Sequence, residues 1–181
     1  GIQCWGGGSK TAVSVTNLPD RATVMSAGGY HTCAIIDSSI YCWGSNSDGQ
    51  LGDGTTEYRN IPTVINDLRG NATAVSAGDY YTCALTDGGA VLCWGNNQYG
   101  QLGDGTSEDS STPTPVNGLS SDIVSIAAGE EHTCALTNTG NIYCWGENFY
   151  GRLGNGTSED SLIPVKVKGL SGKAVAIAVN H

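Results

Sequence analysis

The sequence predicts an all-β protein in which one unit of short strands and turns recurs about every 51 residues. The prediction rests on composition and on two recurring blocks. With 27 glycines, one Met and 14% charged residues among 181, the composition favours turns and short strands over helices. A Trp-Gly pair recurs at residues 43, 94 and 145, and a Gly-x-Leu-Gly-x-Gly-Thr block begins at residues 49, 100 and 151.

Each unit contains the pattern of about four short strands. Residues 82–85 and 90–94 flank a turn at 86–89, and the third unit repeats this arrangement. Alternating apolar residues at 74–77 indicate a further strand. Prolines that fit an outer strand recur at Pro62, Pro113 and Pro164. About four strands in roughly 50 residues are typical of a β-propeller blade, so we predict a propeller, or part of one, made of four-stranded antiparallel blades.

Charge and motif content exclude several classes of function. The chain has 8 Lys and Arg against 17 Asp and Glu, a net charge of −9, and its basic residues are scattered. An acidic surface of this kind repels nucleic acid and anionic lipid, so we expect neither as a partner. No apolar stretch approaches the ~18 residues of a membrane-spanning helix, and we expect no membrane insertion. The sequence lacks the common nucleotide-binding, hydrolase and zinc-protease motifs, so we expect no enzyme activity and no cofactor.

The two ends of the chain are out of phase with the repeat. Residues 1–6 match the second half of a unit, and residues 174–181 match the start of the first half. We therefore expect residues 1–181 to form one propeller segment, with three complete units and one blade split between the termini.

The order of the repeated motifs resembles the regulator-of-chromosome-condensation repeat. The motifs are Ala-Gly-x-x-His-Thr-Cys-Ala, Cys-Trp-Gly, Gly-Gln-Leu-Gly-Asp-Gly-Thr and Pro-x-x-Val, and they cover nearly the whole chain. The resemblance implies a propeller of usually seven four-stranded blades, so this chain corresponds to about half a ring. The cysteine-containing repeats look more like a secreted bacterial branch of the family. Guanine-nucleotide exchange and enzyme inhibition remain alternatives by analogy alone, because propellers support many unrelated functions.

Six of the seven cysteines fall into pairs that flank a predicted hairpin. Residues opposite one another in an antiparallel hairpin lie close enough for a disulfide after small adjustment. Zinc or free thiols are the alternatives, but eight or nine intervening residues on facing strands do not form a zinc knuckle. Persistent disulfides predict an extracellular or cell-surface location. The predicted pairs are Cys33 with Cys42, Cys83 with Cys93, and Cys134 with Cys144.

Cys4 has no partner within the repeat. Its mate would precede Gly1 or follow His181, so either the chain is a piece of a longer one or Cys4 pairs with another molecule. We expect the split blade to be completed across a chain boundary, by a second copy or by a severed segment.

The repeats differ at two loop positions, and these are candidates for recognition of a protein or a glycan. Loop positions that differ between otherwise identical units are not constrained by packing and are available for binding. Ordinary loop variation is the simpler explanation of these differences. The aromatic residues there are Tyr58, Tyr99, Phe149 and Tyr150.

Other polar repeats have structural explanations. His31, His132 and His181 share one repeat position, but Tyr81 replaces histidine in the middle unit, so we expect a packing role and no metal. Asp-Gly steps in the loops suit turns better than calcium, because the alternate-ligand spacing is missing. Asn71 and Asn155 begin short glycosylation sequons. The sequence thus predicts a secreted, non-enzymatic binding or assembly module.

Overall fold

A computed structural model describes residues 2–6, 9–19 and 21–180, and across these ranges the chain forms strands, turns and loops without a helix. The strands are β1 (Gln3–Gly6), β2 (Ser9–Ser14), β3 (Val24–Ala27), β4 (His31–Ile36), β5 (Ser39–Gly44), β6 (Arg59–Ile65), β7 (Ala72–Ala77), β8 (Tyr81–Thr86), β9 (Val91–Gly95), β10 (Ser110–Pro115), β11 (Ile123–Ala128), β12 (His132–Thr137), β13 (Ile142–Gly146) and β14 (Ser161–Lys166). No helix of the described part is long and apolar enough to cross a membrane.

Three four-stranded sheets make up most of the molecule. They are blade 1 (β3-β4-β5-β6), blade 2 (β7-β8-β9-β10) and blade 3 (β11-β12-β13-β14). Strands that follow one another in the chain pair in antiparallel fashion, so each blade is a meander. The predicted four-stranded antiparallel blades are confirmed.

The blades are arranged side by side, with the first strand of each blade against the first strand of the next. β3 contacts β7, and β7 contacts β11. The cores lie between the blades rather than within them, because both faces of a middle sheet are covered. We call each of these contact surfaces a seam. Trp94 lies fully buried in the first seam and Trp145 in the second, as expected for tryptophans that pack between blades.

The six paired cysteines occupy directly opposite positions on the second and third strands of the blades. The sulfur atoms of each pair lie 2.11 Å apart, which is bonding distance. The backbone of Cys4 lies in β1 opposite Val13, but its side chain lies outside the described residues.

The recurring prolines lie in the outermost strand of each blade, as their spacing predicts. Pro62 lies in β6, Pro113 in β10 and Pro164 in β14. The pairing register with the third strand shifts around each proline. Since proline cannot donate to the ladder, an irregularity in an outer strand accommodates it without the loss of an inner hydrogen bond.

The two ends of the chain do not share a sheet in the described structure. β1 and β2 pair only with each other, and Ile2 and Gln3 border blade 1 near Met25. At the opposite end, Ile177 and Val179 pack against the free face of blade 3. Completion of the split blade therefore stays a prediction.

Candidate functional site

One edge of the three blades carries all of the long loops. In a meander, the turn between the first two strands and the loop between the last two lie at the same edge. The Ser45 amide accordingly donates to the Tyr30 carbonyl at 3.0 Å. The same bond joins Asn96 to Tyr80 and Glu147 to Glu131, at 2.9 Å each. We call this edge the loop face; it comprises residues 28–30 and 45–58 of blade 1, 78–80 and 96–109 of blade 2, and 129–131 and 147–160 of blade 3.

A buried asparagine holds each long loop in shape. Asn46 accepts a hydrogen bond from the Leu51 amide at 2.9 Å and donates to the Thr55 carbonyl at 3.0 Å. Asn97 and Asn148 make the same bonds in the other blades. The loop face is therefore a rigid platform, although its backbone is neither helix nor strand.

The Asp-Gly steps in these loops are occupied by internal hydrogen bonds. Asp53 accepts from the Thr55 amide at 3.0 Å and pairs with Arg59 at 2.7 Å. Burial pushes the pKa of Asp53 up, but the hydrogen bonds from Thr55 and Arg59 outweigh it, and the pKa lies below its ordinary value. Within the described ranges, no group of three or more His, Cys, Asp or Glu side chains is placed to hold a metal ion.

The aromatic residues predicted for recognition lie on the loop face, but they do not form one cluster. Phe149 and Tyr150 pack edge to face with ring centroids 4.7 Å apart, and the Arg152 guanidinium lies 5.5 Å from the Tyr150 ring. Phe149 is 68% exposed and Tyr150 is 77% exposed. Tyr58, also largely exposed, and the half-buried Tyr99 belong to the loops of the other two blades.

A second aromatic pair joins two blades and was not predicted. Tyr30 and Tyr80 stack with centroids 5.2 Å apart and planes 28° from parallel. Tyr30 is 61% exposed although it makes this contact. Both tyrosines stand two residues before the repeated Thr-Cys, in the short turn after the first strand. That shared position is the signal that could have identified them; blade 3 has Glu131 there.

Carboxylates surround the stacked tyrosines. A hydrogen bond with Tyr30 raises the pKa of Tyr80, and the charges of Asp79 and Asp48 raise it further. Burial raises the pKa of Glu131, and the charges of Glu130 and Asp79 add to the effect. Gln101 donates to Glu131 at 3.3 Å. The loop face thus combines exposed aromatic rings with a local excess of negative charge.

The residues at the repeated histidine position make hydrogen bonds across the seams. The hydroxyl of Thr82 donates to the Gln50 carbonyl at 2.8 Å, so at 2.7 Å the Nε2–H of His31 must be the donor to that hydroxyl. Burial lowers the pKa of His31 to about 4. Tyr81 stands at this position in the next seam, where its hydroxyl instead donates to the His132 backbone carbonyl at 2.6 Å. His181 lies outside the described residues.

Comparison with known families finds the same repeat. The model described as "Regulator of chromosome condensation (RCC1) repeat" matches residues 37–85, 88–136 and 139–179. A second model of that description matches residues 72–101 and 123–152.

Relatives and solved structures cover most of this chain. The ultraviolet-B receptor UVR8 of Arabidopsis thaliana is 39% identical in an alignment of 177 positions that covers 94% of this chain and 40% of UVR8. The probable E3 ubiquitin-protein ligase HERC4 of Homo sapiens is 37% identical in an alignment of 167 positions that covers 90% of this chain and 16% of HERC4. This chain thus spans less than half the length of either relative. A structure of Prp20p from Saccharomyces cerevisiae, reported with its binding properties to Gsp1p and histones, superposes with a TM-score of 0.72 at 20% identity, covering 82% of this chain and 38% of Prp20p.

Proposed function

This chain belongs to the regulator of chromosome condensation (RCC1) repeat family, and from that premise we propose that it is a non-enzymatic module that binds a basic protein partner through its loop face. The observation that carries the proposal is the stack of the exposed Tyr30 on the half-buried Tyr80, with Asp48 and Asp79 beside Tyr80. Prp20p, which has the same fold, binds Gsp1p and histones. Protein binding is thus within the reach of this architecture.

The aromatic rings supply contact area for a partner. Tyr30 and Tyr80 already stack on each other, so little side-chain freedom is lost when a partner covers them. Phe149 and Tyr150 offer a second exposed apolar area on the same face. Aromatic residues of this kind are enriched at the centres of interfaces.

The negative charge of this chain favours a positively charged partner. The chain has a net charge of −9, Asp48 and Asp79 lie on the loop face near Tyr80, and Glu131 lies close enough to Asp79 to feel its charge. A lysine or arginine side chain gains from these carboxylates and from a tyrosine ring face. A neutral glycan would gain hydrogen bonds from the carboxylates but no charge attraction, so the net charge of −9 leads us to propose a basic protein rather than a sugar ligand.

The test measures binding of a fluorescent lysine–glycine repeat peptide to the full chain by anisotropy, with a glutamate–glycine peptide as the charge control. We expect the basic peptide alone to bind, more weakly as salt rises. The double variant Tyr30→Ser/Tyr80→Ser should weaken it about tenfold. Leu170→Ser, at an exposed leucine outside the loop face, is the matched control and should bind like wild type. Equal binding by both variants, or no preference for the basic peptide, refutes the proposal.

A second candidate function is assembly, in which another chain completes the split blade. The observation that favours it is that β1–β2 and the segment 174–180 have fewer strand partners than the blades have within the described residues. Static light scattering of the chain at rising concentration tests it: ordered oligomers support assembly, and a monomer at all concentrations contradicts it.

We also propose that the protein works in an oxidising compartment outside the cell. Three sulfur pairs at bonding distance, one per blade, support this location. Protein purified without reductant and then denatured should show at most one reactive thiol, that of Cys4. Several reactive thiols in freshly isolated protein would contradict the proposal.

A further inference from the structure

Two tyrosines from different blades lie in contact on the loop face. Tyr30 belongs to the turn 28–30 of blade 1, and Tyr80 belongs to the turn 78–80 of blade 2. Their rings stack with centroids 5.2 Å apart and planes 28° from parallel, and the Tyr80 hydroxyl is hydrogen-bonded to Tyr30. Among the ring pairs of the described residues, this is the one in which both rings are phenols.

The backbone keeps the two rings side by side. The amide of Gly29, the residue before Tyr30, donates to the Gly78 carbonyl at 3.2 Å, so a hydrogen bond joins the two turns directly. A Cβ on Gly29 would meet the Asp79 carboxylate at 3.0 Å, which shows how closely the turns approach each other. Groups held together in this way react at a far higher effective concentration than the same groups on separate molecules.

The tyrosine pair is accessible from solvent and lies in a negative environment. Tyr30 is 61% exposed and Tyr80 is half-buried, so both rings are open to an oxidant and Tyr30 has room to rotate. The charges of Asp79 and Asp48 act on Tyr80. Removal of an electron makes a phenol ring transiently positive, so nearby carboxylates favour the loss of an electron from this ring.

We propose that Tyr30 and Tyr80 are an oxidative modification site, at which a peroxidase and hydrogen peroxide join the stacked rings into a dityrosine cross-link between blades 1 and 2. Each phenol loses one electron and its hydroxyl proton and becomes a neutral tyrosyl radical. The two radicals form one bond between the ring carbons next to their hydroxyls, and the hydrogens on those carbons move to the oxygens, which restores both phenols. In balance, the protein loses two hydrogen atoms and one hydrogen peroxide is reduced to two waters.

The cross-link differs from the disulfides in what it connects. Each of the three disulfides lies within a single blade, whereas a Tyr30–Tyr80 bond ties two blades together and resists thiol reductants. The inference goes beyond the proposed function and does not depend on it, because the coupling needs the two phenols and an oxidant but no partner protein.

The test treats the full chain with a haem peroxidase and hydrogen peroxide, at a protein concentration low enough that collisions between chains are rare. The monomer is isolated by size exclusion, its disulfides are reduced, and its mass, dityrosine fluorescence and peptide map are recorded. We expect a monomer that has lost two hydrogen atoms, that shows dityrosine fluorescence and that yields two peptides joined through Tyr30 and Tyr80.

Conservative variants locate the site. Tyr30→Phe and Tyr80→Phe keep the ring and remove the phenol, so each should lower the dityrosine fluorescence of the monomer at least about tenfold. Tyr58→Phe is the matched control, because Tyr58 is 68% exposed on the same face, and it should leave the yield unchanged. The inference is overturned if the wild-type monomer gains no dityrosine, if the link maps to other tyrosines, or if Tyr30→Phe couples as well as Tyr58→Phe.

Discussion

Thr82→Val tests the idea that polar contacts across the seams hold the blades together. The substitution keeps the shape of the side chain and removes one hydroxyl. That hydroxyl is fully buried, donates to the Gln50 carbonyl and accepts from His31. The same substitution at Thr32 is the matched control, because Thr32 holds the same repeat position in blade 1 and is only half-buried.

The expected magnitude follows from which groups lose their partners. In Thr82→Val the Gln50 carbonyl keeps the bond from Trp94, but the Nε2–H of His31 is left buried without an acceptor. An unsatisfied buried donor costs about 1–3 kcal/mol, so we expect a loss of about 2–3 kcal/mol in the free energy of unfolding. Thr133→Val should lose less, about 1–2 kcal/mol, because the Tyr81 hydroxyl keeps the His132 carbonyl as its acceptor.

Urea unfolding followed by tryptophan fluorescence measures these losses, with the slope against urea as the check on two-state behaviour. We expect Thr82→Val to be the most destabilised, Thr133→Val intermediate, and Thr32→Val within about 0.5 kcal/mol of wild type. Equal losses at Thr82 and Thr32 would show that the seam hydrogen bonds contribute nothing beyond local strand packing, and would refute the reasoning.

Three further predictions concern pH, backbone and redox state. The pKa of His31 is about 4 in the folded chain and 6.5 for a free imidazole, so between these pH values only the unfolded chain binds a proton at this residue. The free energy of unfolding should therefore fall by up to about 3 kcal/mol as the pH drops from 6.5 to 4. The variant His31→Gln should not show this fall in the same pH titration. Gly52→Ala would bring a Cβ within 2.6 Å of an indole nitrogen and should cost about 2–4 kcal/mol in urea unfolding, whereas Gly156→Ala, with an open surrounding and a similar positive φ, should cost only about 1 kcal/mol. In limited reduction followed by alkylation and mass spectrometry, the Cys134–Cys144 pair should be reduced first, because it lines an open groove beside residues 176–180 and its cysteines are 5% and 3% exposed, whereas the other two pairs are 0% exposed. Simultaneous reduction of all pairs would contradict this.

Much of the fold could be predicted because the repeated units can be aligned with one another, which shows the positions that recur in every blade. A cysteine pair such as Cys83 and Cys93, equally spaced about a turn, fixes a hairpin and its register at once. Proline in the last strand marks an outer edge, because proline cannot donate a ladder bond. These inferences need only contacts within one blade, where residues close in space are also close in sequence.

The contacts between blades could be predicted only in part. Repetition indicates that Trp94 packs against another blade, but not that its indole donates to the Gln50 carbonyl, which lies 44 residues away. The Tyr30–Tyr80 stack could not be predicted for the same reason, because it depends on the angle between two sheets. Tyr58 and Tyr99 both stand at loop positions where the repeat units differ in sequence, but such differences do not reveal which loops lie side by side.

Amide hydrogen exchange of the full chain saturated with the lysine–glycine peptide tests most directly whether the loop face is the surface that binds a partner. We expect slower exchange at residues 28–31, 78–81 and 45–58, and unchanged exchange at residues 65–71 and 167–173 on the opposite edge. Protection of the opposite edge with no change on the loop face would contradict this expectation.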